Sequence, residues 1–464
     1  MTEYQEYKEI NLPWLKMIPA NWDIKRNKQF LHESRKTVGD RSSEYTLLSL
    51  TLKGIVVRDL SENKGKIPAS FDTYKIVEPG DIAFCMFDMD ETPRTVGLSQ
   101  NRGMLTGAYN IFHIEGINAH YLYYYYLALD NIKALRPLYT GLRKTINVNT
   151  FLSQPMPVPP RDEQDQIVRF LDWKVSEINK LIGIRRKEIQ ELKSLKAAVI
   201  NSAITKGIDH GAAMKKTGIY YLPIIPETWT LTKLKRICKV GASINDQLKK
   251  YSDQDEVVFL PMENISNDGE IDCSIKQPIS NVRSGFSSFA KDDVIVAKIT
   301  PCFENGKGAC LDKLDTDIGY GTTELFNLRA GKDVLPEYLY YITMTKLFRV
   351  LGEGQMTGSA GQKRVPADFI KNFSIGLPII DVQQEIVGYI RTEKQRIYRL
   401  ITAKHEQLNA LEELKSTIIS DVVTGKIDVR NIAVPQYEHV DYIADDEAEA
   451  DEESEETEFD GEEA

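Results

Sequence analysis

The chain has 464 residues, 42% hydrophobic and 27% charged, which is ordinary globular usage with room for two or three cores. No run of 18 apolar residues occurs, so a membrane-spanning helix is excluded, and the opening Met1-Thr2-Glu3-Tyr4 lacks the basic and apolar regions of a secretory signal; the cytoplasm is the expected compartment. The net charge of −10 comes from the C-terminus: from Glu438 onward there are 15 acidic residues and no basic ones, leaving residues 1–437 with 58 basic against 53 acidic, a mildly basic body that permits a nucleic-acid partner.

In chain order, Ile18-Pro19 and Trp22 are followed by strand-like runs at Tyr45–Val57, Asp81–Phe87 and Tyr109–Ile114, rich in β-branched and aromatic residues. A helix is predicted around Tyr121–Leu129. Residues Asp162–Lys206 then run without Pro at helical spacing and close at Gly207, a suitable C-cap. The order begins again with Ile225-Pro226 and Trp229. Strands follow at Val257–Met262, Val294–Ile299 and Glu324–Leu328, a helix at Pro336–Phe348, and a second long helix at Asp381–Lys426 near Gly425. The last stretch, Asp445–Glu463, is acidic and of low complexity, the composition of a disordered tail.

The second half repeats the first. At a shift of 219, Ile178, Leu181, Ile189, Leu192, Leu195 and Val199 fall without a gap on Ile397, Leu400, Leu408, Leu411, Leu414 and Ile418. Tyr121-Leu122-Tyr123-Tyr124 matches Tyr338-Leu339-Tyr340-Tyr341 at 217, and Ile18-Pro19 with Trp22 matches Ile225-Pro226 with Trp229 at 207. The growing shift places about a dozen extra residues in the loops of the second globular unit. The twelve apolar residues just paired lie three or four apart along one face of each long helix, and that face needs a cover. The two helices are natural antiparallel partners, each roughly 65 Å long.

Catalytic signatures are missing. There is no G-x-G-x-x-G and no G-x-x-x-x-G-K-[ST], and no Asn-Pro-Pro or Asp-Pro-Pro followed by an aromatic, the element that serves amino-methyl transfer. Six scattered histidines form no metal constellation. The five cysteines (Cys85, Cys238, Cys273, Cys302 and Cys310), with no C-x-x-C, read as reduced thiols. Asp88-Met89-Asp90-Glu91 reads as a solvated loop before it reads as a nuclease metal site, and the tyrosine run at 121–126 as packing before base stacking. Basic loops are the better candidates for DNA contact: Thr140-Gly141-Leu142-Arg143-Lys144 and its equivalent Thr357-Gly358…Gln362-Lys363-Arg364, then Lys298, Thr300, Asn305 and Lys307, with Arg94 and Arg102 in the first unit. Arg and Lys neutralise phosphate or reach guanine edges, and Asn and Gln suit adenine. For each residue singly, solvated surface is an equal reading.

With these residues in view, the sequence resembles the specificity subunits of type I restriction-modification enzymes. The resemblance rests on Ile18-Pro19-Ala20-Asn21-Trp22 and Ile225-Pro226-Glu227-Thr228-Trp229, on Gly80-Asp81-Ile82 and the stretch Asp293 to Pro301, on Glu304-Asn305-Gly306-Lys307-Gly308-Ala309, and on Pro159 to Val168. It covers residues 10–430. Val382 stands where the first copy has Glu163, and Asp293 lacks a preceding Gly. The resemblance fits the α+β pseudo-twofold tandem repeat read from the residues and implies target recognition domains at 1–158 and 211–377, with antiparallel spacer helices at 159–210 and 378–432; by composition 433–464 is a disordered acidic tail. It further implies a non-catalytic subunit that reads an asymmetric bipartite target in double-stranded DNA, with two methyltransferase subunits and motor-nuclease restriction subunits as partners. No cofactor belongs to this chain in that scheme; S-adenosylmethionine sits on the methyltransferase, ATP and magnesium on the restriction subunit. A DNA-binding adaptor without methylation partners and a stand-alone two-domain nuclease are the alternative readings. An apolar stripe left exposed on the helices would argue against the adaptor.

Overall fold

The structure is a computed structural model that describes residues 3–58, 70–358 and 362–441. It divides into two compact units, residues 1–187 with 404–464, and residues 188–403. Each unit thus holds one globular repeat and part of each long helix. No helix among the described residues is long and apolar enough to cross a membrane.

In the first unit, strands β1 (Leu31–Ser34), β2 (Ile82–Phe84), β3 (Val96–Leu98) and β4 (Asn110–Ile114) form an antiparallel sheet in the order β1-β4-β2-β3. Helix α1 (Ala119–Asn131) starts at Asn118, whose side chain accepts from the amides of His120 and Tyr121. Tyr121, Tyr124, Tyr125 and Tyr126 of α1 are buried, and burial pushes the Tyr121, Tyr124 and Tyr126 phenols well up. The tyrosine run therefore supplies core. Phe84, Phe112 and Phe151 pack beside Tyr126 with ring centres 4.8–6.0 Å apart. Helix α2 (Arg161–Lys206) follows.

In the second unit, β5 (Cys238–Val240), β6 (Val294–Ala297), β7 (Gly308–Cys310) and β8 (Leu325–Ala330) form the equivalent sheet, ordered β5-β8-β6-β7. Helices α3 (Pro336–Met344) and α4 (Lys346–Glu353) cover it, and the long α5 (Ile380–Val423) follows. The repeat extends to details. The opening hairpins pair Tyr7 with Pro19 and Met214 with Pro226, both at the shift of 207. The extra residues of the second unit feed a second four-stranded sheet, built from Glu256–Leu260, Lys276–Pro278, Ser287–Ala290 and Ile318–Gly321.

Three sequence expectations need correction. The run Tyr45–Val57 is a hairpin of two strands, Leu48–Thr51 and Gly54–Val57, turning at Leu52-Lys53. The helix expected over Pro336–Phe348 breaks at Thr345, which is extended and caps α4 by accepting from the Phe348 amide. The last helix stops at Val423, three residues short of Lys426. The acidic stretch 445–463 lies outside the described residues, but the start of the segment expected to be tail does not hang free. Ser176 Oγ donates to the Glu438 carbonyl (2.9 Å), the Val440 amide donates to Ser176 (2.7 Å), and Asn179 donates to the Val440 carbonyl (3.0 Å).

The duplicated motifs hold each repeat to its helices. Buried Gln164 accepts from the Asn118 amide and donates to the Pro159 carbonyl, both at 2.8 Å. Gln383 does the same with the Leu335 amide and the Pro378 carbonyl at 2.9 Å. Gly425 (φ 76°) comes so close to Pro19 and Trp22 that a Cβ would lie 2.4 Å from Pro19, and Gly207 (φ 77°) meets Trp229 at 3.2 Å in the same manner. Within the first unit the helices run antiparallel: Lys415 donates to Asn179 (3.0 Å) and Arg186 pairs with Glu412 (3.3 Å), one number rising as the other falls. Within the second, Lys196 and Lys394 both donate to Asp268.

Of the twelve seam residues, Ile178, Ile189, Ile397, Leu408 and Ile418 are buried, and Leu192, Val199 and Leu411 are half-buried. Leu181, Leu195, Leu400 and Leu414 are 42%, 50%, 43% and 49% exposed. These four form two equivalent pairs at the shift of 219.

Candidate nucleic-acid interface

In each repeat the same two loops lie side by side. In the first, the loop leaving β2 meets residues 139–146: the Asp88 amide donates to the Arg143 carbonyl (2.8 Å) and the Ile146 amide to Met86 (2.9 Å). Thr140 and Thr145 bond each other's backbone across the turn that carries Gly141, Arg143 and Lys144, and Leu142 at its tip is wholly exposed. In the second, the Thr300 amide donates to the Lys363 carbonyl (3.0 Å), the Val365 amide to Lys298 (2.9 Å), and Thr357 and Arg364 pair as Thr140 and Thr145 do. Residues 359–361 of this loop lie outside the described residues.

The structure thus brings Arg143 and Lys144 together in one repeat, and Lys298, Thr300, Gln362, Lys363 and Arg364 in the other. Asn305, exposed, and Lys307, half-buried, stand on the turn after Thr300. Arg143 pairs with Asp88 at 3.3 Å and lies over the Phe87 ring; Lys144 pairs with Asp90 at 3.4 Å and with Glu91. Arg136 and Lys144 hold the Asp90 carboxyl below its usual range. In Asp88–Glu91 the carboxylates lie at the surface, with Glu91 exposed and Asp88 and Asp90 half-buried, while Met89 is buried; all three acids are paired with basic residues. Arg364 pairs with Glu324, Lys298 sits 5.4 Å from the Phe326 ring centre, and Lys307 donates to the Met262 carbonyl at 2.9 Å.

Two predicted residues lie apart from these loops. Arg102 pairs with Glu78 (3.3 Å) and covers Tyr45. Arg94, its side chain only 15% exposed, donates to Asp130 and Asn131 at the end of α1, where Thr95 and Lys133 also converge on Asp130. That cluster packs α1 onto the sheet.

Arg349 was not legible as part of the site. It is buried on α4, donates to the Phe303 carbonyl (2.8 Å) and stacks over the Phe303 ring, so it holds the turn that carries Glu304, Asn305 and Lys307. Burial draws its guanidinium down to about 10. Amphipathic spacing marks such an Arg as solvent-facing, which hides it from sequence reasoning. Among the described residues, no three of His, Cys, Asp and Glu gather as metal ligands.

A family model described as type I restriction modification DNA specificity domain matches residues 99–194 and 226–413, more than half of the chain and a part of each repeat. The chain belongs to the type I restriction modification DNA specificity domain family. Over 205 residues this specificity-domain chain is 36% identical to the type I restriction enzyme EcoAI specificity subunit of Escherichia coli and 35% identical to the EcoEI subunit from the same organism. Those matches cover 44% of this chain and 34% of each relative, so they span about a third of the relatives' length. The specificity-domain fold is shared with a solved chain from a study of complex assembly and conformational transition of the type I R-M system. The TM-score there is 0.58, over 88% of this chain and 99% of that one, at 13% identity.

Proposed function

We propose that this chain is the specificity subunit of a type I restriction-modification complex and reads a bipartite, asymmetric site in double-stranded DNA, one half-site per repeat. The observation that carries the reading is the paired loop assembly, present once in each repeat with the same backbone connections and different side chains. Equal scaffolds with unequal loops read unequal half-sites. Arg143 and Lys144 in the first repeat, and Lys298, Thr300, Asn305, Lys307, Gln362, Lys363 and Arg364 in the second, supply the phosphate and base contacts. Arg102 reaches the same duplex only from a separate turn, and Arg94 belongs to packing.

The chain performs no chemistry itself in this proposal. Two methyltransferase subunits bring S-adenosylmethionine and methylate adenine, and the restriction subunit brings ATP and magnesium. The half-exposed Leu181, Leu195, Leu400 and Leu414 support partner subunits on the long helices, since an adaptor without partners leaves them to water. The test is to co-purify the chain with its methyltransferase subunits and map methylated adenines. A two-part motif with unequal halves is expected, with no methylation by the chain alone; methyl transfer or cleavage by the isolated chain would overturn the assignment.

A further inference from the structure

The basic loop of the first repeat leads with an apolar side chain. Leu142 is wholly exposed, more so than any other large apolar residue among the described ones. A turn tip ordinarily carries Gly, Asn, Asp or Ser, and a leucine there contributes nothing to folding. The turn beneath it is fixed. The amides of Thr140 and Thr145 donate to each other's carbonyls at 2.9 and 3.0 Å, and Gly141 and Lys144 are both left-handed, with φ of 71° and 45°. The Asp88 amide holds the Arg143 carbonyl from the neighbouring loop at 2.8 Å. The two cations that follow Leu142 are drawn back onto that loop. Arg143 lies over the Phe87 ring and pairs with Asp88, while Lys144 pairs with Asp90 and Glu91, and their side chains are 58% and 38% exposed. Leu142 therefore stands forward of the charges beside it.

We propose that Leu142 reads a thymine in the half-site of the first repeat by packing on its 5-methyl group in the major groove. The inference rests on the DNA-reading function proposed above and deepens it. With Arg143 and Lys144 on the phosphates, the side chain ahead of them reaches the base edges. Those edges are polar donors and acceptors except at thymine, whose methyl is the one group there that gains from a leucine. The fixed turn presents Leu142 without an ordering cost on binding. The counterpart at the shift of 217 is Ser359, which has no such apolar surface, so the reading belongs to one half-site and adds to the asymmetry of the target.

The experiment first selects the two-part site from a randomised duplex library, using the complex of full-length chain and methyltransferase subunits. Each thymine of that site is then replaced singly by deoxyuridine, which removes the 5-methyl group and leaves base pairing intact. Wild type is expected to bind about fourfold more weakly at one such position, in one half-site only, as the loss of one buried methyl predicts. Leu142→Ala is expected to weaken binding to the unmodified site by a similar factor and to be indifferent to deoxyuridine at that position, with the salt slope unchanged. Leu142→Met, which keeps an apolar contact, is expected to retain part of the sensitivity. The inference is overturned if no methyl matters more to wild type than to Leu142→Ala, or if the half-site has no thymine. It is equally overturned if Leu142→Ala abolishes a bend in the DNA while the response to deoxyuridine persists, which marks a wedge between bases, or if it prevents assembly with the methyltransferase subunits, which marks a protein contact. Failure of the wild-type complex to select any two-part sequence would instead overturn the function on which the inference rests.

Discussion

Arg364 grips Glu324 through two hydrogen bonds of 2.9 Å, one from Nε and one from Nη2. Hydrogen bonding to the guanidinium holds the Glu324 carboxyl below its usual range and raises the guanidinium in turn. A basic residue proposed to meet DNA is thus already matched by an acid. Glu324→Gln is expected to strengthen DNA binding by the assembled complex and to steepen log K against log salt by about one unit of slope, while Lys363→Ala flattens it by about one. Binding titrations across salt concentrations decide, and two unchanged slopes would remove these residues from the interface.

Glu163 is the hub of the first repeat's entry. Its carboxylate accepts from Tyr4 (2.6 Å), from Trp22 Nε1 (2.7 Å) and from Asn21 (3.0 Å), and the second copy has Val382 at this place. Glu163→Val copies the second repeat but strands the buried Trp22 and Tyr4 donors. A loss of about 2–4 kcal/mol is expected in chemical denaturation. The reciprocal Val382→Glu should destabilise too, because Val382 is half-buried against the second core.

Gly352 lies where α4 touches the recognition turn. A Cβ there would sit 2.4 Å from the Phe303 ring and 2.9 Å from Phe369. Gly352→Ala should cost about 1–3 kcal/mol of stability and blur base preference in one half-site only. Blurring in both halves would show that the two loop assemblies do not act separately.

These tests also mark what the residues disclosed in advance. The duplication was legible because its framework residues, such as Trp22 with Trp229 and Gln164 with Gln383, keep one identity and spacing in both copies and do one structural job. The hairpin at Leu52-Lys53 was not, since its tip has none of the usual Asn-Gly or Asp-Gly signals. Nor was the break at Thr345, where a hydroxyl ends one helix and caps the next without Pro or Gly. Within the site, the basic loops were recognisable by composition, but the acids that hold them lie tens of residues away in sequence. The surface acids Asp88, Asp90 and Glu91 gave no sign in the sequence that Arg143, Arg136 and Lys144 fold onto them.

Lys415 provides a pH test. Burial draws its ammonium down to about 8 from an ordinary 10.5. Between those values the unfolded chain holds the proton and the folded chain does not, so stability rises with pH across that window, and below it the full cost of burying the charge is present. Relative to Lys415→Met, wild type should gain on the order of 1–3 kcal/mol between pH 7 and 10. Denaturation at several pH values checks this, and a constant difference would show that Lys415 titrates normally.

The segment after α5 makes a fourth stability test. Ending the chain after Asp441 keeps the bonds from Ser176 and Asn179 and should leave the melting temperature unchanged. Ending it after Ile432 removes those bonds together with Val434, which packs on the first core, and should lower the melting temperature by about 2–4 °C for each kcal/mol lost. Equal melting of the two truncations would mean the segment adds nothing to stability.

Gly207 closes on the Trp229 that opens the second repeat, and Gly425 closes on the Trp22 that opens the first. Gly207 lies 22 residues before Trp229, whereas Gly425 lies 403 residues after Trp22. The same junction is thus a local contact in one repeat and a long-range one in the other, and closing the second carries the larger loop entropy. The Trp229 junction can form as soon as its neighbours exist, while the Trp22 junction waits for the end of α5.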